Sequence, residues 1–596
     1  MNIAAIKHLP YGTFCYPLDE DYLEINIVTG KDVDKVFLTY GDPFVKDFFG
    51  GAQSWSGNEI EIVEKKDLQT ELRWSVRVMP DFKRCRYHFR LVSGAEEIYL
   101  LETGFFTPSE FSRITNFSGC FCFPWLNPSD VIKVPSWAEN TVWYQIFPTR
   151  FARGKIDFEP KDIIPWGKFG KEIAHGFKEP RYGGNLQGIL DRLDYLGELG
   201  ITGIYLTPVN LSSSQHKYNT DDYRTIDPEL GGENAMQNLC LKAHEKGIKI
   251  MLDGVFNHSG FSFAPWLDVM KNGKNSRYAD WFMVNDYDFV PPSWGEKSNS
   301  MQKKYYTFAF ADFMPKLNTN NPEVQDYFID LCRDWVKKYD IDGLRLDVAN
   351  EISHTFSRKL KIAMDEEKKD FYLVAEIWHD AFPWLSSKEF DGSMNYPLQN
   401  AIADFCIDEK ISAKEFEYAM NRCYSMYYRQ TNRVLFNQMD SHDTMRIVNR
   451  CGQNRNRARQ ALALLFSMPG SVCIYYGTEL LLEGGPDPDC RRCMPWKEIE
   501  KGLFADDIEF MKNLIKLRKC NKAMASDDME FLYDEKDFLP ENRLLHIVKK
   551  SVDGNVEIFM NCGNFDVELR INGNILAFCE FAEGILKKDG FLIFAP

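Results

Sequence analysis

The run DGLRLDVANE, residues 342–351, followed by LVAEIW, residues 373–378, decides the reading of this chain. The first ends an apolar strand on Arg345 and Asp347, two residues apart and therefore on one face of it. The second ends another strand on Glu376, flanked by Ala375, Ile377 and Trp378. One carboxyl beside a fixed cation and one among apolar neighbours should have pKa values pushed apart, Asp347 downwards and Glu376 upwards. An ionised carboxylate facing a protonated one is what a retaining glycosidase needs, the first as nucleophile and the second as acid. An isolated R-x-D is more often a structural ion pair; here the neighbouring strand end carrying Glu376 outweighs that reading.

Outward from this run, strand-like and helix-like segments alternate over residues 131–515. TVWYQIFPTRF (141–151), ITGIYLTP (201–208), IKIMLDGVFNH (248–258), IDGLRLDVANE (341–351) and FYLVAEIW (371–378) are followed by FDGSMNY (390–396), RVLFNQMDSHDT (433–444) and SVCIYYGTE (471–479). Between them lie stretches with apolar residues at helical spacing, such as LQGILDRLDYLGELG and EVQDYFIDLCRDWVKKYD. Eight strands with crossover helices predict a (β/α)8 TIM barrel, whose active site belongs at the C-terminal ends of the strands. Residues 259–322 break the rhythm and are too long for a simple loop, so they are expected to form a small inserted domain. Residues 1–130, with YLEINIV, KVFLTYG and TELRWSVRV broken by turn residues, predict an N-terminal β-sandwich. Residues 516–596, with LLHIVKK, NVEIFMN and GFLIFAP, predict a C-terminal β-sandwich.

At 596 residues the chain is too long for one core, and a multidomain protein is expected. A net charge of −16 argues against nucleic acid or an anionic membrane as partner and suits a neutral substrate. The segment MNIAAIKHLPYGTFCYPLDE has no apolar core of export-signal length, and no stretch has the apolar length of a membrane span. The cysteines number 15, an odd count, which reads as reduced thiols in a cytoplasmic protein. Cys490 and Cys493 form a lone C-x-x-C, weak ground for a metal or redox site.

Further chemistry clusters at the other predicted strand ends. Asp253, in DGVFNH, is placed to hold Arg345. Asp443, in SHDT, supplies a third carboxylate, suited to binding sugar hydroxyls and favouring a distorted, oxocarbenium-like ring. His258 and His442 are neutral donors at neighbouring ends, better read as hydroxyl ligands than as isolated structural histidines. Tyr144, in VWYQIFP, is a candidate to stack under the reacting ring, with core packing as its rival.

DGVFNH, GLRLDVANE, AEIW and SHDT together resemble the four hallmark segments of the α-amylase family, glycoside hydrolase family 13, in the family's order. The resemblance implies retaining attack on α-glucosidic bonds, with Asp347 as nucleophile, Glu376 as acid/base and Asp443 as stabiliser of the transition state. It carries Arg345, His258 and His442 over as substrate-binding groups. MPKLNT (314–319), VANE (348–351) and HKYNTDDY (216–223) are similar to the neopullulanase, cyclomaltodextrinase and maltogenic amylase group. That similarity implies sugar contacts at Tyr218, at Glu351 and Trp378 on the acceptor side, and at Asp487 and Arg491 on the non-reducing side. It also implies a starch-binding-type N-terminal module that builds a homodimer.

Relatives commonly bind calcium through an Asn/Asp-rich stretch after the first strand. Here that stretch is FARGKIDFEP, with Arg153 and Lys155 where ligands would stand, leaving Asp157 and Asn185 as a poor remainder. No metal or other cofactor is therefore expected. The implied activity is hydrolysis of α-1,4 bonds in cyclodextrins, maltooligosaccharides and pullulan. Two alternatives stand beside it, a glucan transglycosylase of the same fold and a non-catalytic barrel acting as a binding subunit. The latter should lack the carboxylates that are present here.

Overall fold

Eight short strands, each a run of apolar and β-branched residues, carry the middle of the chain. They are β1 (Val142–Ile146), β2 (Gly203–Leu206), β3 (Lys249–Gly254), β4 (Gly343–Leu346), β5 (Tyr372–Ala375), β6 (Gly392–Ser393), β7 (Phe436–Asn437) and β8 (Ser471–Tyr475). In this computed structural model all pair in parallel, in the order β6-β5-β4-β3-β2-β1-β8-β7. A parallel bridge between Met394 and Phe436 closes the ring, so the sheet is the expected (β/α)8 barrel. The structure describes all residues except 46–54, 116, 159, 168–179 and 534–542; Glu159 of FARGKIDFEP lies outside the described residues.

The strands are buried on both faces because helices cover the outside while side chains fill the inside. Helix Pro322–Tyr339 shows why such segments are helical: Asn321 caps its first turn, Pro322 sits where no N–H is needed, and Val324, Phe328, Leu331 and Trp335 recur at three- and four-residue spacing on its buried face. Inside the barrel, Trp143, Tyr205, Met251, Tyr372, Val374, Phe436 and Cys473 pack into one apolar plug. Two residues further along each strand the same face points inward again. There the interior turns polar, with Gln145 after Trp143, Asp253 after Met251, Arg345 and Asp347 along β4, and Glu376 after Val374. That switch from plug to charge places the site at the C-terminal mouth.

Between β3 and helix Pro322–Tyr339 the chain forms helix Ala264–Asn272 and a set of short bridges, Val284 with Tyr305 and Thr307 with Pro315. Trp266, against Phe282, Phe289 and Tyr305, is their apolar centre. The fully buried Asp312 carboxylate holds this region by accepting the N–H groups of Ser293, Asn299 and Ser300 at 3.1, 2.8 and 2.9 Å.

The chain divides into two compact units, Met1–Lys133 with Ala413–Asn432, and Val134–Ser412 with Arg433–Pro596. In the first, a four-stranded and a six-stranded antiparallel sheet share a core that includes Ile25, Ile27, Leu38, Trp74, Phe89 and Leu91, a β-sandwich. Ala413–Asn432, which lies in sequence between β6 and β7, joins this unit through Asn421 Nδ2 on the Asp67 carbonyl (2.9 Å) and an Arg429–Glu24 ion pair (2.7 Å). In the second unit, the C-terminal strands from Met529–Phe531 to Ile585–Ala595 form one six-stranded antiparallel sheet. Its strand Leu544–Lys549 meets the barrel through the buried Lys549, whose Nζ donates to the carbonyls of Ser467 and of Met524 (3.0 Å), while Arg518, on the preceding helix Ala505–Cys520, donates to the carbonyls of Phe466 and Met468 (2.6 and 2.8 Å). The Phe466, Ser467 and Met468 carbonyls lie at the negative end of helix Arg455–Phe466 and just beyond it, where hydrogen-bond donors are favoured. Among the described residues no helix is long and apolar enough to cross a membrane.

Candidate active site

Arg345 is the hub of the barrel mouth. It is fully buried, and its Nη1 donates to both oxygens of Asp253 (2.9 Å each) and to Asp347 Oδ1 (3.0 Å), while Nη2 lies 2.8 Å from Glu376 Oε2. Burial opposes the charge of this guanidinium, but Asp253 and Glu376 more than offset it, so it stays charged. One guanidinium thus bridges the two carboxyl groups first read in the sequence, a close placement of the kind retaining chemistry uses.

The electrostatics of Asp347 differ from the sequence expectation. Burial pushes its carboxyl well above the usual carboxylate range; Arg345 opposes this, and Glu376, Asp253 and Asp443 add to it. Asp253 and Asp443 are raised as well, again by burial against the pull of arginines. A sequence shows the cation beside Asp347 but not the depth at which the pair sits or how many carboxylates share the cation. One guanidinium divided among several buried carboxyl groups therefore offsets only part of the cost of their burial.

Glu376 is held at both oxygens. Trp378 Nε1 donates to Oε1 at 3.1 Å and the Val348 N–H donates to Oε2 at 3.0 Å. Val348 has φ +47°, a left-handed conformation that costs a β-branched residue about 1–2 kcal/mol. The strain aims its N–H at Glu376 immediately after Asp347, which ties the two carboxyl groups through the backbone as well as through Arg345.

A second chain of contacts crosses the mouth. Tyr205 and Tyr218 donate their hydroxyls to Asp253 Oδ2 at 2.6 and 2.9 Å. The Tyr218 hydroxyl also meets His442 Nε2 at 2.6 Å, with the two rings parallel. His442 Nε2 lies 3.1 Å from Asp443 Oδ2, and its Nδ1 lies 2.8 Å from Gln145 Nε2. Burial holds His442 well below its usual range, helped by Arg491 and Arg345, and burial lowers His258 to about 3. Both are therefore neutral. His258 donates from Nε2 to the Tyr218 carbonyl (3.1 Å) and lies face to face with Phe308. Arg491 joins Asp487 (2.9 Å) to Asp443 (3.5 Å) and donates to the His442 carbonyl (2.9 Å).

These groups line a cleft of about 490 Å³. Asp347, Glu376 and Asp443 face it, with Tyr218, His258, His442, Trp378, Asp487 and Arg491 around them. Arg345 lies beneath the floor. Glu351 does not line this cleft; it pairs with Lys316 (3.0 Å) in an adjoining hollow of about 410 Å³ that meets the cleft at Asn350. Tyr144 is a correction. It faces outward from the barrel, fully buried, with its hydroxyl donating to Glu479 Oε1 at 2.7 Å. Strand alternation is the reason: Trp143 and Gln145 take the inward positions of β1, so Tyr144 between them cannot reach a sugar. Residues the sequence reading passed over include His216 and Phe308, both in the lining, and Gln145 and Tyr205 below it. The period-two rule applied to VWYQIFP would have found Gln145; Phe308 carried no local signal.

Among the described residues, the stretch expected to have lost calcium ligands offers no group of acidic side chains that could hold a calcium ion. Asn185 Oδ1 accepts the N–H groups of Gly188 and Gly154 (2.8 and 3.1 Å), and its Nδ2 donates to the Gly154 carbonyl (2.9 Å). Arg153 Nε donates to the Tyr182 carbonyl at 3.1 Å, so a guanidinium already occupies that oxygen. Hard cations need several free oxygens, and Asn185 Oδ1 and the Tyr182 carbonyl are already engaged.

Comparison with known proteins is specific. Residues 145–539 match the family model described as alpha amylase, catalytic domain, and residues 1–127 match that of the alpha amylase N-terminal ig-like domain. The chain is 40% identical over 551 residues to the intracellular maltogenic amylase of Bacillus subtilis strain 168, covering 91% of this chain and 90% of that one. It is 40% identical over 574 residues to a cyclomaltodextrinase of Geobacillus thermopakistaniensis, covering 96% and 92%. A solved cyclomaltodextrinase superposes with a TM-score of 0.85 at 32% identity, covering 100% of this chain and 98% of that one.

Proposed function

The chain belongs to the α-amylase family and is a glycoside hydrolase, and on that premise we propose that its cleft hydrolyses α-1,4-glucosidic bonds of cyclodextrins and maltooligosaccharides by double displacement. The observation that carries the residue assignment is Arg345 bridging Asp347 and Glu376 at adjacent strand ends with Asp443 facing them. Asp347 Oδ attacks the anomeric carbon while Glu376 passes its proton to the departing glycosidic oxygen, giving a glycosyl ester on Asp347. Glu376, now ionised, takes a proton from water, the hydroxide adds at the same carbon, and Asp347 leaves with the configuration retained. Asp443, with His442 and Arg491 behind it, accepts from sugar hydroxyls and favours the flattened, cationic ring. Trp378, 52% exposed and stacked on Tyr396 at 4.2 Å beside Glu376, offers a ring face to the sugar on the acceptor side. Glu351 acts further out on that side, from the adjoining hollow.

Substrate size follows from the shape. A cleft of about 490 Å³ suits a few sugar units. The expected result of parallel assays is a kcat/KM on β-cyclodextrin about tenfold or more above that on soluble starch, a difference of about 1.4 kcal/mol in transition-state binding, with pullulan cleaved more slowly. Equal rates on starch and cyclodextrin would remove the size argument. The open face of Trp378 also admits an acceptor sugar in place of water, and products longer than the substrate at high maltose concentration would report that transglycosylation.

The Met1–Lys133 unit is assigned to homodimer formation, supported by its N-terminal family match and by Tyr11, Met79 and Phe82, more than half exposed on it. Sedimentation equilibrium at micromolar concentration should read twice the chain mass; the mass of one chain would overturn the assignment. The fifteen free thiols support a reducing, intracellular location. Recovery of the native enzyme from culture medium and not from lysate would contradict it.

A further inference from the structure

We propose that Gln145 is a positioning residue that fixes the tautomer of His442, so that His442 presents an Nε2–H to Asp443 and the cleft. Gln145 is fully buried on the inward face of β1, and its Nε2 lies 2.8 Å from His442 Nδ1. A neutral imidazole carries one proton, on Nδ1 or on Nε2, and the partners at the two ends decide which. At the Nε2 end stand Tyr218 Oη at 2.6 Å and Asp443 Oδ2 at 3.1 Å. Tyr218 has one proton, and its hydroxyl faces Asp253 Oδ2 at 2.9 Å. Asp253 is held through both oxygens by Arg345 and acts only as an acceptor.

The donors can therefore be counted along the chain. With the proton on His442 Nε2, the imidazole donates to Tyr218 Oη and Asp443, Tyr218 donates to Asp253, and Gln145 donates its amide N–H to the bare Nδ1. Every contact then pairs a donor with an acceptor. With the proton on Nδ1, the bare Nε2 would face the Asp443 carboxylate lone pair to lone pair. Tyr218, with one proton, would then have to give up its bond to Asp253 or its bond to His442. The Gln145 amide is the group that closes the chain in the first arrangement, and a side chain able only to accept would reverse it. The consequence for the reaction is a set polarity at the sugar: a donor at His442 beside an acceptor at Asp443, ready for a hydroxyl that both donates and accepts.

The proposal rests on the assignment of Asp443 and His442 to the substrate-binding set, but its test reads the tautomer without substrate. Nitrogen NMR of the enzyme labelled with 15N-histidine, with the His442 signals identified by their loss in His442→Asn, should show a protonated Nε2 and a bare Nδ1. Gln145→Glu places an acceptor against Nδ1 and should move the proton there, with kcat/KM falling about 100-fold. Gln145→Met, similar in volume and silent in hydrogen bonding, leaves the acceptors at the other end in charge and should cost about tenfold. A purely structural role would make Met at least as harmful as Glu and would leave the tautomer alone. Wild-type enzyme with Nδ1 protonated, or a Met variant as impaired as the Glu variant, would overturn the proposal. Full activity in Asp347→Asn would instead strike at the catalytic assignment.

Discussion

Replacing Asp347 by Asn lowers kcat on a maltooligosaccharide by about 10⁴-fold or more and at the same time makes the protein more stable at neutral pH. The loss follows from chemistry: an amide cannot form the glycosyl ester, and no other carboxylate has the same approach to the anomeric carbon. The gain follows from burial, which pushes the Asp347 carboxyl up despite Arg345. A carboxyl whose folded pKa lies above its unfolded value contributes stability below the unfolded pKa, near about 3.9, and loses it as pH rises through the folded value. At pH 7 the native protein carries that penalty and the Asn variant does not. A melting temperature about 2–4 °C above wild type at pH 7, with the difference vanishing near pH 3, is the expected reading, corresponding to about 1 kcal/mol. A variant less stable than wild type at pH 7 would mean that the Arg345–Asp347 contact outweighs desolvation.

Glu376→Gln divides the two half-reactions. On maltotriose, whose leaving alkoxide needs a proton, kcat falls by about 10²–10⁴-fold. On α-maltosyl fluoride the leaving group departs without an acid, so formation of the glycosyl enzyme persists. The second step then lacks its base and becomes limiting. Azide, a nucleophile that needs no deprotonation, should restore turnover on the fluoride and yield an α-glycosyl azide. Equal loss on both substrates without azide rescue would assign Glu376 a supporting role through Arg345 and Val348 in place of acid/base work.

Much of this arrangement was legible from period and position. Arg345, Asp347 and Glu376 stand at strand ends whose apolar runs give away the barrel, and alternation puts Arg345 and Asp347 on the inward face. The same rule does not say which face of β1 is inward, and so does not separate Tyr144 from its neighbour Gln145. Trp143 in the plug settles that parity, and it is visible only once the strands close. The ionisation of Asp347 is not legible in sequence because burial depth and the number of carboxylates around Arg345 arise from three strands at once. Val348 gives no warning in sequence, since a β-branched residue is the last to be expected in a left-handed turn. The grouping of Ala413–Asn432 with the N-terminal sandwich is likewise a long-range outcome that local propensity does not carry.

The assignment on which the reaction turns is Asp347 as carrier of the sugar between the two half-reactions. Its most direct test is to quench Glu376→Gln with acid during turnover of α-maltosyl fluoride and to map the adduct by peptide mass spectrometry. The expected result is a mass increase of one maltosyl unit on the peptide containing Asp347 and on no other. An adduct on Asp443 or Asp253, or a protein that turns the fluoride over without ever carrying sugar, would contradict it.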